Sequence, residues 1–402
     1  MPFILVTVVI DMVSIGLIIP VLPHIVGLFT HGKTEQTWWS GAVFLAFSSA
    51  NFIASPILGA LSDRYGRRPV LLIGFSGLAL STIVTGFATQ LWMLIAVRLV
   101  SGAMQANVSV AQAYVADITP PEDRARRFGL LGAMFGIGFI LGPVLGGLLG
   151  DISIRLPFFV AGGLSCVNWL YGWFILPESL PLDRRRPFEW KRAHPLAALR
   201  GLSELQGVGL LVATVGLLSL AQFTMHTSWV LYTDFKFGWG PAQVGWSLFT
   251  VGLVSAFSQG VLLKHLLARV SAPRLALFSV ASSMLTFLFI GLATQGWMLY
   301  VIIVIGNIAG AGGAATIQSL ISNAADAKNQ GQTMGSVGSL NSLAAVTAPL
   351  FATPLLGAVS KLDPVSWKMG LPFFFCAVLA ALSLSFALAH FRRSPAAAAA
   401  AA

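Results

Sequence analysis

Of the 14 acidic residues in this chain, Asp11 alone falls well inside a long apolar run. Holding a carboxylate away from water costs several kcal/mol even after relaxation. Such a group must therefore face a wet cavity, find a partner, or keep its proton. A carboxyl whose pKa is lifted toward neutrality is what a proton carrier needs; a structural polar anchor is the other reading of the same residue. Thr7 and Ser14, at i−4 and i+3, share its helical face. Arg98 is the one basic residue deep in an apolar run. It stays charged, so it is expected either to stabilise an ionised Asp11 or to hold water.

Other polar residues recur at helical spacing within apolar runs. Gln105 and Gln112 follow Arg98 at steps of seven, Gln222 and His226 stand at i and i+4, and Asn307, Gln318 and Asn341 occupy later runs. With Ser14, and with Phe135 and Trp229 as apolar neighbours, these residues are candidates for a substrate cavity. Interhelical hydrogen bonding and plain aromatic packing explain the same pattern.

Several chemistries are set aside. Gly27-Leu28-Phe29-Thr30-His31-Gly32-Lys33-Thr34 fits the spacing of a phosphate loop. A working loop of that kind follows a strand and opens a helix in an α/β domain, whereas this one joins two apolar runs. No histidine or cysteine cluster suggests zinc or haem, so neither a metal nor a cofactor is expected. Cys166 and Cys376 lie in apolar runs and read as small core residues. No nucleophile–base arrangement points to an enzyme.

The elements that must position these groups follow from composition. Of the 402 residues, 56% are hydrophobic and only 9% charged, against about 25% charged in soluble domains; the mean hydropathy is +0.83. The runs are continuous and mostly about 20 residues long, which matches a hydrocarbon core roughly 30 Å thick and excludes the alternating strands of a barrel. Twelve helical spans are predicted, near 3–29, 38–61, 70–89, 91–116, 128–150, 156–177, 206–230, 242–265, 273–294, 297–322, 332–358 and 368–391. The first is too long, and too interrupted by Asp11, for a cleavable signal peptide.

An even number of spans puts both termini on one side. With the termini inside, eighteen of the 24 lysines and arginines fall in inside segments, and only Lys33, Arg155, Lys236, Lys361 and Lys368 fall outside. The positive-inside rule then predicts cytoplasmic termini. The formal charge of +10 is thereby accounted for without nucleic acid. The basic segment 178–205, with Asp183-Arg184-Arg185-Arg186-Pro187, reads as a cytoplasmic linker between a six-helix bundle over 1–177 and another over 206–393. The alanine-rich 394–402 is set aside as a remnant foreign to the fold.

The halves repeat. Ala88-Thr89-Gln90-Leu91-Trp92-Met93-Leu94 returns as Ala293-Thr294-Gln295-Gly296-Trp297-Met298-Leu299, an offset of 205. Gly41 and Pro69 return as Gly245 and Pro273, an offset of 204, and Leu156-Pro157-Phe158-Phe159 returns as Leu371-Pro372-Phe373-Phe374 after 215. A repeat of six spans keeps its orientation. The predicted fold class is an all-α membrane protein of two pseudo-symmetric six-helix bundles around a wet pathway.

Two motifs carry a family resemblance. Gly59-Ala60-Leu61-Ser62-Asp63-Arg64-Tyr65-Gly66-Arg67-Arg68-Pro69, between spans two and three, resembles the G-x-L-[SAG]-D-R-x-G-R-[RK]-[PR] loop of the major facilitator superfamily. There a carboxylate can face a helix N-terminus while arginines pair with nearby acids; Asp117 is the natural partner. Span five holds Gly138, Gly142, Pro143, Gly146 and Gly147 in a G-x-x-x-G-P-x-x-G-G pattern similar to that of the superfamily's proton-coupled antiporters. Ile10 to Pro23, Arg98 to Gly102, Trp229-Val230-Leu231 and Phe237-Gly238-Trp239 resemble the tetracycline-efflux branch of the drug/proton antiporters, over essentially the whole chain.

The resemblance implies alternating-access export of small amphipathic compounds against protons, in a bacterial inner membrane, by a monomer. It also implies a cytoplasmic gate of Asp63, Arg64, Gly66, Arg67, Arg68 and Asp117. That branch carries an acid in span three, a histidine in span eight and an acid in span nine; this chain has Ser81, Ser255 and Ser282. Tetracycline itself is therefore outside what the resemblance implies. Transport of a specific metabolite, siderophore or lipid, and a non-transporting sensor, stand as alternatives.

Overall fold

The computed structural model describes residues 1–105, 107–188, 190, 209–324 and 330–393. Every predicted span is a helix, and no strand occurs among the described residues. Hydrocarbon offers no hydrogen bonds, so each span must satisfy its own backbone. Span 1 is Pro2–Ile18 continued by Leu22–Gly27, span 2 Lys33–Tyr65 and span 3 Arg67–Phe87. Span 4 is Leu91–Met104 and Asn107–Asp117, span 5 Arg124–Ile152 and span 6 Leu156–Phe174. Span 7 is Gly209–Phe237, and span 8 is Pro241–Phe257, a π turn over Ser258–Leu262 and Leu263–Leu267. Span 9 is Ala272–Leu292, span 10 Gly296–Ala309 and Gly313–Ala324, span 11 Gln330–Val359 and span 12 Leu371–Arg393.

Ten helical stretches of the described residues are long and apolar enough to cross a bilayer. The 19-residue span 6 and the two-part span 10 complete the predicted twelve. Leu80, Phe174, Phe278 and Ile305 are each more than half exposed. In water so many bare apolar side chains would drive association; against lipid they are at home. The chain is a multi-pass integral membrane protein.

The helices form two compact units. The first holds spans 1 to 6 and the segment Trp239–Phe249; the second holds span 7, span 8 from Thr250 onward, and spans 9 to 12. Inside the first, span 1 packs on spans 5 and 6, and span 3 on span 6. Inside the second, span 7 packs on spans 11 and 12, and span 9 on span 12. These are the same pairs shifted by six, so the sequence repeat is a repeat of packing. Its details recur: Gly86 leaves room for the ring of Phe159 as Gly291 does for that of Phe374.

Three features depart from the predicted spans. Span 7 continues past 230 to Phe237, because Thr233 returns its hydroxyl to the Trp229 carbonyl at 2.9 Å and Lys236 Nζ donates to the Gly291 carbonyl at 3.1 Å. Span 4 breaks at Gln105 and span 10 at Gly310 to Gly312, positions 205 apart, each inside a run predicted as one continuous span. Gly312 has φ +78°, in the left-handed region that glycine enters without strain. The linker residues 191–205, with Lys191, Arg192 and Arg200, lie outside the described residues, as do Lys328 and the tail 394–402.

Candidate functional site

Asp11 sits mid-span in the first unit and is 2% exposed. It borders a void of about 10 Å³ together with Thr7, Val108, Ala111 and Phe135, which is room for roughly one water. Thr7 and Ser14 share its face, as expected, but their hydroxyls donate to their own helix, at the carbonyls of Ile4 and Ile10, both at 2.8 Å. Asn168 of span 6 ties this stretch down, its Nδ2 donating to the Thr7 carbonyl at 3.0 Å. Arg98 is also buried, at 7% exposed, and its Nε has no hydrogen-bond partner. Arg98 and Asp11 belong to the same unit.

The glycines of span 5 set the height of Asp11 against its neighbours. Gly138 lies on Met12, Gly142 on Gly16 and Gly146 on Leu17, so every fourth residue of span 5 presents no side chain to span 1. A Cβ on Gly142 would come within 2.6 Å of the Gly16 Cα. Small residues at this spacing let backbones touch. Gly147 turns another way, onto Pro241 and Ala242 at the start of span 8, where Gly245 in turn meets the Pro143 carbonyl. Asp151 Oδ1 accepts the Ala242 amide there at 3.1 Å.

A second cluster sits between spans 2 and 3. The guanidinium of Arg67, buried at 9% exposed, is ion-paired to Asp63, donates from Nε to Asp117 Oδ2 at 3.0 Å, and donates to Ser62 Oγ at 2.7 Å. Its fork lets one cation hold two carboxylates. Asp117 also accepts from Ser179 Oγ at 3.2 Å. Arg68 donates to the Gly172 and Trp173 carbonyls that end span 6, a cation at the negative end of a helix. Arg64 stands apart from this pairing, over the ring of Tyr65 at 5.1 Å.

Sequence reasoning missed Glu178 in this cluster. Its Oε1 accepts the amides of Arg67, Ser179 and Leu180 at 2.8 to 3.0 Å, and its Oε2 accepts that of Arg68 at 3.3 Å. It thus caps the N-terminus of span 3, where orphan amides and the helix dipole favour an anion. Gly66 completes the turn with φ +107°, and a side chain there would strike the Glu178 carboxylate. The available signal was an acid placed directly after span 6, at Pro177-Glu178-Ser179.

The second unit holds a cavity of about 480 Å³. Gln222, Asn307, Gln318 and Asn341 line it, with Ser219, Ser255, Gln259, Ser279 and Ser283, five polar residues the sequence reading did not place there. Ser255 Oγ donates to Asn307 Oδ1 at 2.9 Å, and Ser219 donates to Asn341 Oδ1. His226 stands one turn from Gln222 and is hydrogen-bonded to it at 3.0 Å. Trp229 lies elsewhere, 4% exposed and edge-on to Phe373. In the first unit Gln112 is exposed, and Gln105 marks the break in span 4, where its carbonyl accepts Asn51 Nδ2. Of the three serines flagged above, Ser81 bonds back to the Leu78 carbonyl, Ser255 pairs with Asn307, and Ser282 reaches the Gly306 carbonyl across to span 10.

Two like-built units of apolar helices, a charged loop after span 2 and a polar cavity inside the membrane region describe a solute carrier. The family model described as Major Facilitator Superfamily matches residues 4–235 and again 211–402. The chain belongs to the major facilitator superfamily and is a membrane transporter. It is 35% identical over 365 residues to the class C tetracycline resistance protein of Escherichia coli, covering 90% of this chain and 91% of that protein. It is 31% identical over 396 residues to the class B protein of the same species, covering 96% and 95%. Among solved structures, the fold matches the human organic anion transporter MFSD10 at TM-score 0.70 and 23% identity, over 96% of this chain and 98% of that one. It matches the nucleoside transporter NupG at TM-score 0.75 and 13% identity, over 97% and 98%.

Proposed function

We propose that this transporter is a proton-coupled exporter of small amphipathic compounds, working by alternating access, with Asp11 as its protonation site. The observation that carries this reading is the burial of Asp11 at mid-span, beside a water-sized void and next to a glycine crossing of spans 1 and 5. Protonated, the side chain is neutral and tolerates burial. Ionised, it needs water or a cation, and the buried Arg98 Nε is a donor in the same unit. One conformation thus favours the protonated form and another the ionised form, and substrate biases the same equilibrium. The tetracycline resistance proteins named above support export over uptake.

The remaining assignments belong to this reading. The cluster of Asp63, Arg67, Arg68, Asp117 and Glu178 is a cytoplasmic gate whose pairing holds one state closed. The bundles over 1–177 and 206–393 move about the linker 178–205. Both termini face the cytoplasm of a bacterial inner membrane, and the monomer is the working unit.

The test is proton movement in proteoliposomes loaded with pyranine, challenged with a panel of neutral, cationic and anionic amphipathic compounds. At least one compound is expected to evoke a proton flux that Asp11→Asn abolishes. If no member of the panel moves protons, or if Asp11→Asn moves them as well as the parent, the reading fails.

A further inference from the structure

Among the described residues, the lining of the second unit's cavity carries no aspartate, glutamate, lysine, arginine or histidine. Its polar surface is made of carboxamides and hydroxyls, against an apolar wall that includes Val280, Phe287 and Ile317. We propose that this cavity recognises uncharged compounds that carry several hydroxyl or carbonyl groups on a compact apolar frame. The inference deepens the export reading by naming a substrate class, and it rests on that reading only for its role in transport.

The argument is one of desolvation. A charged ligand entering this cavity would exchange its hydration for neutral dipoles with no counter-charge, a loss of several kcal/mol. A neutral polyol or carbonyl compound exchanges water for carboxamides, which both donate and accept. Two of these carboxamides are held in place beforehand. Asn307 accepts from Ser255 at Oδ1 and donates from Nδ2 to the Ile303 carbonyl, both at 2.9 Å. Asn341 accepts from Ser219, and its NH2 has no protein acceptor among the described residues.

The break in span 10 extends the cavity toward the π turn of span 8. Gly310 and Gly313 border the cavity, and an adjoining void of about 140 Å³ runs along Gly310 to Gly313. Ser258 lines that void, 2% exposed, with a hydroxyl that has no partner. Interrupted helices that line a cavity are where transporters bind solutes, and a buried orphan hydroxyl asks for a ligand or water. A volume of about 480 Å³ lies within the range of roughly 300–1,000 Å³ of drug-sized sites.

The test uses three probes with one frame: 4-methylumbelliferyl β-D-glucoside, the matching glucuronide, which adds a carboxylate, and the matching glucosaminide, which adds an ammonium. Binding to the full-length protein in nanodiscs is measured by equilibrium dialysis. The glucoside is expected to bind about tenfold or more tightly than either charged probe. Asn307→Leu and Asn341→Leu should each weaken it by about tenfold, and Asn341→Ser by less. Equal binding of all three probes, no saturable binding of the glucoside, or indifference to both leucine substitutions would overturn the inference. Dialysis needs no proton movement, so its outcome stands apart from that of the pyranine assay.

Discussion

The carboxylate of Glu178 rests on the backbone amide of Arg67 at 2.8 Å, although 111 residues separate the two. The same oxygen takes two further amides, so removing it leaves several donors of a helix N-terminus uncapped. Glu178→Ala is expected to cost about 1–2 kcal/mol, and Glu178→Gln less, since an acceptor oxygen remains. Gly66→Ala, at φ +107°, should cost about 1–2 kcal/mol by itself. The double variant should cost less than the sum, because the carboxylate that the new Cβ meets is gone. Thermal unfolding in detergent measures all four variants.

Arg67 and Arg64 carry the same charge three residues apart but have different surroundings. Arg67→Lys replaces a fork that spans two carboxylates with a point charge that holds one. Proton flux in proteoliposomes should fall by about tenfold, the equivalent of one charged hydrogen bond. Arg64→Lys, changed at a residue that stands over Tyr65 away from the acids, should leave the flux within about twofold.

Span 5 offers a contrast within one helix. A methyl added at Gly142 meets the backbone of Gly16, which cannot yield, whereas one added at Gly132 or Gly136 meets nothing within 4 Å. Gly142→Ala should destabilise the protein by about 1–3 kcal/mol. Gly136→Ala should be neutral or stabilising by up to about 1 kcal/mol through helix propensity. Melting temperatures of the purified variants decide this.

Equivalent helices are capped by cations from different places. Arg155 Nη1 donates to the Gly86 carbonyl at 2.7 Å, and Lys236 Nζ donates to the Gly291 carbonyl at 3.1 Å; the two glycines are 205 apart. Arg155→Met and Lys236→Met should each cost about 1 kcal/mol, and the pair should be additive. Denaturant titration in mixed micelles tests the sum.

These predictions also mark what could be read from residue order. All twelve spans were legible, because a bilayer demands a continuous apolar run of fixed length. Asp11 and the loop from Asp63 to Arg68 were legible because charge is rare here, so each charged residue within or between spans is informative. The breaks at Gln105 and Gly310 were not, since each falls inside a stretch long enough to be one span, and the Asn51 side chain and the φ of Gly312 that accommodate them are three-dimensional facts. Glu178 was hidden by its distance along the chain. Polar residues at helical spacing named the cavity only in part. Gln222, Asn307, Gln318 and Asn341 reached it, while Ser14 bonded back to its own helix and Trp229 went into packing, because helical spacing alone does not say which partner a polar or aromatic side chain takes.

The account stands on the proton of Asp11, and exchange without coupling tests that most directly. Proteoliposomes bearing Asp11→Asn are preloaded with the best-transported compound of the panel and assayed for counterflow of labelled compound at equal pH, then for accumulation driven by a pH gradient. Counterflow at close to the parent rate together with loss of gradient-driven accumulation is the predicted result. Gradient-driven accumulation that survives in Asp11→Asn would contradict it.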